Sequence, residues 1–230
     1  MTSPELVLAL LADARLPTGS HAYSAGLEPA IAAGLTDDGR RLEDVPSYAS
    51  TRLATVTATE AGAAVVARHR WLSGGPHRGD RLDEVARAWR ARTPSPAARQ
   101  TARALGRGYL RLATALWPDE LRDCFDAATP PPRPVVLGAV GALTGLSARQ
   151  VALLVGLDDV QTIASAALKL VPADPTEAAR WALRLQPEIE AMADAVAPLT
   201  EPAQIPARGA PMIDVFAEAH DRSTRRLFSA

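Results

Sequence analysis

Apolar residues in this chain of 230 residues recur at spacings of three and four, and no segment alternates with period two over the length of a strand. That pattern predicts an all-α fold: a single helical-bundle domain of about nine or ten helices. Leu82, Val85, Ala86 and Trp89 fall on one helical face, as do Leu105, Tyr109, Leu112 and Leu116. Trp181, Leu185, Ile189 and Met192 do the same in a helix opened by Asp174-Pro175-Thr176. Leu6, Val7, Leu10 and Leu11 give the first helix one apolar side, with Ser3 as cap and Pro4 at the first helical position. Ser95-Pro96 and Ser147 open two more helices, and Gly145 closes one. Thr57 and Glu60 have capping-box spacing, so a fresh helical register is expected between residues 48 and 72. The proline run at residues 129–134 is the stiffest break and reads as a seam within one domain. The body, residues 1–210, is followed by a tail, residues 211–230, behind a proline-bearing connector. The tail carries Ile213, Phe216, Ala217 and His220 on one side.

Charge and composition exclude several functions. A net charge of −1 argues against broad attraction to nucleic acid or an anionic membrane. Arg15 alone is basic among the first 39 residues, which is too little for an N-terminal recognition helix. Cys124, the single cysteine, excludes an intrachain disulfide and suits a reducing compartment. No basic stretch precedes the apolar run at residues 6–12, and no uncharged apolar run reaches the ~18 residues of a membrane span. A cytoplasmic location is expected. Aromatic residues make up 4% of the chain, so the core must be mostly Leu, Val and Ala, each burying little area. Oligomerisation would add contacts.

Catalytic motifs are incomplete. Ser24 sits in Ala22-Tyr23-Ser24-Ala25-Gly26, which lacks the first glycine and the preceding strand of a nucleophile elbow. The only lysine, Lys169, follows no glycine-rich loop, so there is no P-loop. His21, His69, His77 and His220 have no metal-ligand spacing. Asp158-Asp159 has no third carboxylate at Thr162 or Ile163 and reads as solvent-facing charge or a cap. The residues taken this far leave open a helical small-molecule-responsive regulator.

The least generic stretch runs from Arg15 to Glu28, where an apolar helix gives way to Pro17, Gly19, Ser20, His21, Ser24 and Gly26. Residues 11–28 resemble the signature of UreF-type urease accessory proteins, D-(S/A)-x-L-P-(T/I)-G-(S/A)-F-x-x-S-x-G-L-E. The likeness continues in order along the chain. Arg99 and Arg103-Ala104-Leu105-Gly106-Arg107 are similar to the family's arginine–glycine helix. Pro134-Val135-Val136-Leu137-Gly138 is similar to its H-x-P-V-V-x-G segment, and Ala167-Leu168-Lys169-Leu170-Val171-Pro172 to its A-x-R-L-x-P segment. His220-Asp221 through Arg226-Leu227-Phe228-Ser229 resembles its H-E…R-L-F-x-S ending. The chain departs from the pattern at His21, which stands in place of Phe, at Ala25, at Pro132-Arg133 in place of the usual His, and over residues 173–179.

The resemblance implies a dimeric, non-catalytic scaffold of urease maturation. It implies binding to the accessory protein UreD (UreH) and to the nickel GTPase UreG, and through them to apo-urease, with nickel handled by the complex and no stably bound cofactor. The matching residues Pro17, Gly19, Ser20, His21, Ser24, Gly26, Glu28, Arg99, Arg103, Arg107, Lys169, Pro172, His220, Arg225, Arg226, Leu227 and Phe228 are the expected partner-binding set. The tail is expected to be loose alone and to fold on docking, with Leu227 and Phe228 as apolar anchors. The row Arg99, Arg103, Arg107, extended by Arg111, is expected either to be solvated or to meet a protein partner.

Overall fold

Proline, serine and aspartate set most of the helix starts. The computed structural model describes residues 3–121, 124–125, 129–224 and 226–229. Among these, twelve α-helical segments follow one another: α1 (Pro4–Leu11), α2 (Leu27–Ala32), α3 (Asp44–Arg52), α4 (Ala58–Ser73), α5 (Arg78–Ala91), α6 (Pro96–Leu116), α7 (Pro118–Leu121), α8 (Arg133–Leu143), α9 (Ala148–Leu170), α10 (Pro175–Arg184), α11 (Gln186–Val196) and α12 (Pro211–Arg222). The described residues form no strand, and the fold is all-α. Ser95 caps α6 by accepting from the Ala98 amide, Ser147 forms a full capping box with Gln150, and Asp174 accepts from the Thr176 amide to start α10.

The expected fresh register appears as a π-helical turn, Leu53–Thr57, that joins α3 to α4 in one rod. Thr57 and Glu60 form no capping box there; both side chains turn to buried charges instead. Counting this rod once and setting aside the single turn α7 leaves ten helices.

The middle of the bundle is α4 against α8. Residues 61–67 of α4 and residues 133–142 of α8 are all buried. Their axes meet closely because a Cβ at Gly138 would stand 2.2 Å from the Ala64 carbonyl oxygen. Around this pair, α5 and α9 pack on α4, α6 packs on α8, and α10 and α11 pack on α9. Helix α9 is long and apolar enough by composition to cross a membrane, but 61% of that stretch is buried inside the bundle.

Two expectations fail. In α1 Val7 and Leu11 are buried and Leu8 packs partly against the core, while Leu6 and Leu10 are exposed, because the helix lies on the outside of the bundle. The helix expected to run from Asp174 through Met192 is two, since Pro187 has no N–H to continue it past Leu185. In the structure the helix of the tail, α12, packs on α2 and α6, with Ile213 and His220 buried.

Candidate functional site

The opening loop and the end of the chain, some 200 residues apart in sequence, meet at one place. The loop turns at Gly19, makes one 3₁₀ turn over Ser20–Ala22, then passes through left-handed backbone at Ala25 and Gly26. Tyr48 of α3 holds this bend by donating its hydroxyl to the Ala25 carbonyl at 2.9 Å. A Cβ at Gly26 would lie 2.7 Å from that hydroxyl, so the signature glycine is required both for φ and for space. The Ser24 hydroxyl, buried, accepts from the Glu28 amide and steadies the first turn of α2. At the other end of the loop, Asp13 grips Arg15, and that guanidinium holds the Asp13 carboxyl down at about 2.

Helix α6 is the seat of the loop. A Cβ at Gly108 would fall 2.0 Å from the Thr18 carbonyl oxygen, so this glycine lets the backbone of the loop lie directly on the helix.

Glu28 then clasps the tail. Its carboxylate accepts from the amides of Leu227 at 2.6 Å and Phe228 at 2.9 Å. The Ser229 amide donates to the Ala22 carbonyl at 2.7 Å, and Tyr23 and Ser229 pair as an isolated parallel bridge. Buried His220 sets its Nε2 3.2 Å from the Phe228 carbonyl oxygen and 3.7 Å from Glu28 Oε2. Phe228 is itself buried, with the Lys169 ammonium 5.0 Å above its ring. Two backbone amides on one carboxylate are charge-assisted bonds, each contributing about 1.5–3 kcal/mol. Glu28→Ala is therefore expected to raise amide exchange at Leu227 and Phe228 by about 10–100-fold, read by hydrogen-exchange NMR. Unchanged protection would contradict the clasp.

Near the clasp lies a buried ionic cluster whose partners are far apart in sequence. Arg52 donates Nε and Nη2 to the two oxygens of Asp159 at 3.0 and 2.7 Å, and Thr57 adds its hydroxyl at 2.7 Å. Arg133 binds both Glu60 and Asp158. Asp158 and Asp159 are thus core groups rather than solvent-facing charge or a cap: one turns to α8, the other to the α3–α4 rod. Burial pushes both carboxyls up. For Asp159 the Arg52 guanidinium and the hydrogen bonds outweigh burial and the group sits below its usual value. For Asp158 burial wins over Arg133, with Asp159 and Glu60 adding repulsion, and the group sits above it. Burial works against the charge on Arg52 and Arg133 as well, yet their carboxylate partners hold both above the ordinary guanidinium range.

The expected binding set divides accordingly. Pro17, Gly19, Ser20, His21, Ser24, Gly26, Glu28, Lys169, His220, Arg226, Leu227 and Phe228 belong to the loop–tail assembly or its border. Arg225 lies outside the described residues. Phe228, His220 and Ser24 are buried in the chain's own interior, whereas Leu227 is 63% exposed. Pro172 stands apart, against Gly39. Arg99 spends its guanidinium on the carbonyls of Thr93 and Pro94 at 2.7 Å. Among the described residues, no ion pair joins Arg103 or Arg107, and Arg107 is exposed. Also among the described residues, no three His, Cys, Asp or Glu side chains gather as a metal site.

Fold and site together define an all-α protein whose N-terminal loop and C-terminal tail are clasped over a buried ionic core. A family model for UreF matches residues 40–186. The chain is 37% identical over 232 residues to the urease accessory protein UreF of Mycobacterium sp. (strain JLS), covering 100% of both chains. It is 37% identical to that of Mycobacterium bovis (strain BCG / Pasteur 1173P2) over 96% of this chain and 97% of the relative. For Mycobacterium marinum (strain ATCC BAA-535 / M) the figures are 36%, 97% and 98%. The chain belongs to the UreF family of urease accessory proteins.

Proposed function

We propose that this chain is a non-catalytic scaffold of urease maturation. In this reading it bridges a UreD/UreH-type accessory protein and the UreG-type nickel GTPase, works as a homodimer in the cytoplasm, and serves nickel delivery to apo-urease. Nickel is cargo of the complex. The observation that carries the proposal is the Glu28 clasp, which joins the two most distant signature stretches into one surface. A surface assembled from both ends of the chain is a docking device rather than two unrelated motifs.

The UreD/UreH-type partner is assigned to the tail side of this surface. There Leu227, Met212 and Val215 are all more than half exposed, and Arg226, next to Leu227 in sequence, is exposed as well. The second face, toward an acidic partner or a second copy, is assigned to Arg103 and Arg107 of α6.

Because Ile213, His220 and Phe228 are core residues, removing the whole tail would disturb the body; exposed positions test the idea more cleanly. Leu227→Glu combined with Met212→Glu is expected to reduce co-purification of the UreD/UreH-type protein at least about tenfold, the effect of losing ~1.4 kcal/mol or more. The thermal unfolding midpoint should not move. Capture equal to the unsubstituted chain would overturn the role of the tail.

A further inference from the structure

The longest stretch of this chain without Asp or Glu runs from residue 85 to residue 118, and it holds seven arginines. Three of them, Arg103, Arg107 and Arg111, follow one another four residues apart on α6. Arg107 and Arg111 are exposed and Arg103 is half-buried. Among the described residues, none of the three has an ion pair, a hydrogen bond or a ring contact. Arg99, one turn earlier, is spent on the carbonyls of Thr93 and Pro94 and stands outside the row. The other residues on this face of α6, Gln100, Ala104, Leu110 and Thr114, are neutral. Like charges four residues apart on a helix repel one another. The chain has 26 carboxylates that could relieve this repulsion and places none of them along the row. Glu218 of the neighbouring α12 accepts instead from the Ser95 hydroxyl and the Ala97 amide at the start of α6.

A row of unpaired guanidiniums fits a partner that supplies the missing charge at the same spacing. Four helical residues advance about 6 Å, so carboxylates at i, i+4 and i+8 of a second helix recur at the interval of the arginines. Each guanidinium fork suits one carboxylate, bound by two parallel hydrogen bonds. Ala104 and Leu110, set among the arginines, favour a protein surface, since interfaces combine apolar contact with arginine. A single file on a chain of net charge −1 is not the broad basic face that a nucleic-acid duplex requires. Nor does a second copy match the row, because no three carboxylates of this chain stand at i, i+4 and i+8. We propose that Arg103, Arg107 and Arg111 form a docking row for an acidic helix of a protein partner, one that presents three carboxylates four residues apart. The proposal rests on the reading of Arg103 and Arg107 as a partner face and names what the partner brings to it.

The probe is an alanine-based helical peptide of about 20 residues with Glu at i, i+4 and i+8, titrated into the ¹⁵N-labelled full chain. Its control has the same composition with the three glutamates on different faces. At about 10 mM salt, where charges act over ~30 Å, the first peptide is expected to shift the α6 amides saturably. Its Kd should lie below about 1 mM, and the control should bind at least about fivefold more weakly. Combined Arg103→Gln, Arg107→Gln and Arg111→Gln should reduce binding at least about tenfold. That variant should unfold at no lower temperature than the unsubstituted chain, because it removes like-charge repulsion. No shift at α6 would make the row a solvated face, and equal binding of the control would reduce it to a diffuse charge; either overturns the proposal. A DNA duplex of about 20 base pairs that still shifts the row at ~0.15 M salt would assign it to nucleic acid and also overturn it. The titrations of the unsubstituted chain decide without any variant. They contain no urease-maturation protein, so a negative result strikes this inference alone, while the scaffold role stands or falls on co-purification and urease activity.

Discussion

Asp159→Asn is expected to destabilise the protein by about 3–5 kcal/mol, the cost of leaving a buried guanidinium without its carboxylate. Arg52 and Asp159 are both nearly inaccessible, and the pair makes two hydrogen bonds with Thr57 closing a third. Asparagine keeps the shape but carries no charge, so Arg52 would remain desolvated with only a neutral acceptor. Chemical denaturation measures the loss directly. The pH dependence has a definite sign. The Asp159 carboxyl lies below its usual value in the folded chain, so its contribution is present above the unfolded carboxylate pKa of about 3.9 and is lost as pH falls toward the folded value. Asp158 is raised by burial and acts in the opposite sense, its contribution declining as pH rises through its folded value. Asp159→Asn should therefore flatten the acid limb of the stability curve. An acid limb as steep as in the unsubstituted chain would show that Asp159 is not the group responsible.

The second large effect is expected at Gly108. In an ordinary helix interior Gly→Ala gains about 0.5–1 kcal/mol through backbone entropy. Here the sign should reverse, because the added methyl would meet the Thr18 carbonyl oxygen at 2.0 Å and a backbone cannot rotate out of the way as a side chain does. A net loss of about 1–3 kcal/mol is expected, with the opening loop lifted from α6. Denaturation midpoints measure the stability, and amide exchange at residues 18–24 reads the loop. A stabilised Gly108→Ala chain would contradict the close seating of the loop.

What was legible in the sequence was local. Ser95, Ser147 and Asp174 announced their helices because a cap acts within three residues, and the face carrying Leu82, Val85 and Trp89 was set by helical period alone. The site was legible only in its parts. The loop and tail stood out as motifs, yet nothing in either showed that Glu28 reaches Leu227 and Phe228, since that contact spans about 200 residues. The ionic cluster escaped for the same reason: Arg52 meets Asp159 across 107 positions, and a carboxylate in sequence looks the same whether solvated or paired. Two signals pointed to it. Arg133 interrupts an otherwise uncharged stretch from residue 129 to residue 148, and Asp158-Asp159 interrupts the apolar middle of α9. Charges embedded in long apolar runs are expensive unless partnered, so each implied a partner elsewhere. Leu6 and Leu10 show the converse. They fit an apolar face, but a one-layer helix at the edge of a bundle buries only the residues that point inward.

The proposed role as the UreF-type scaffold of urease maturation has a direct consequence in cells. The most direct measurement is nickel-dependent urease activity in cells that express a urease operon from which its own UreF gene has been removed. Supplying this chain should restore activity, and Glu28→Ala should restore markedly less while accumulating as folded protein. No restoration by the unsubstituted, soluble chain would contradict the account.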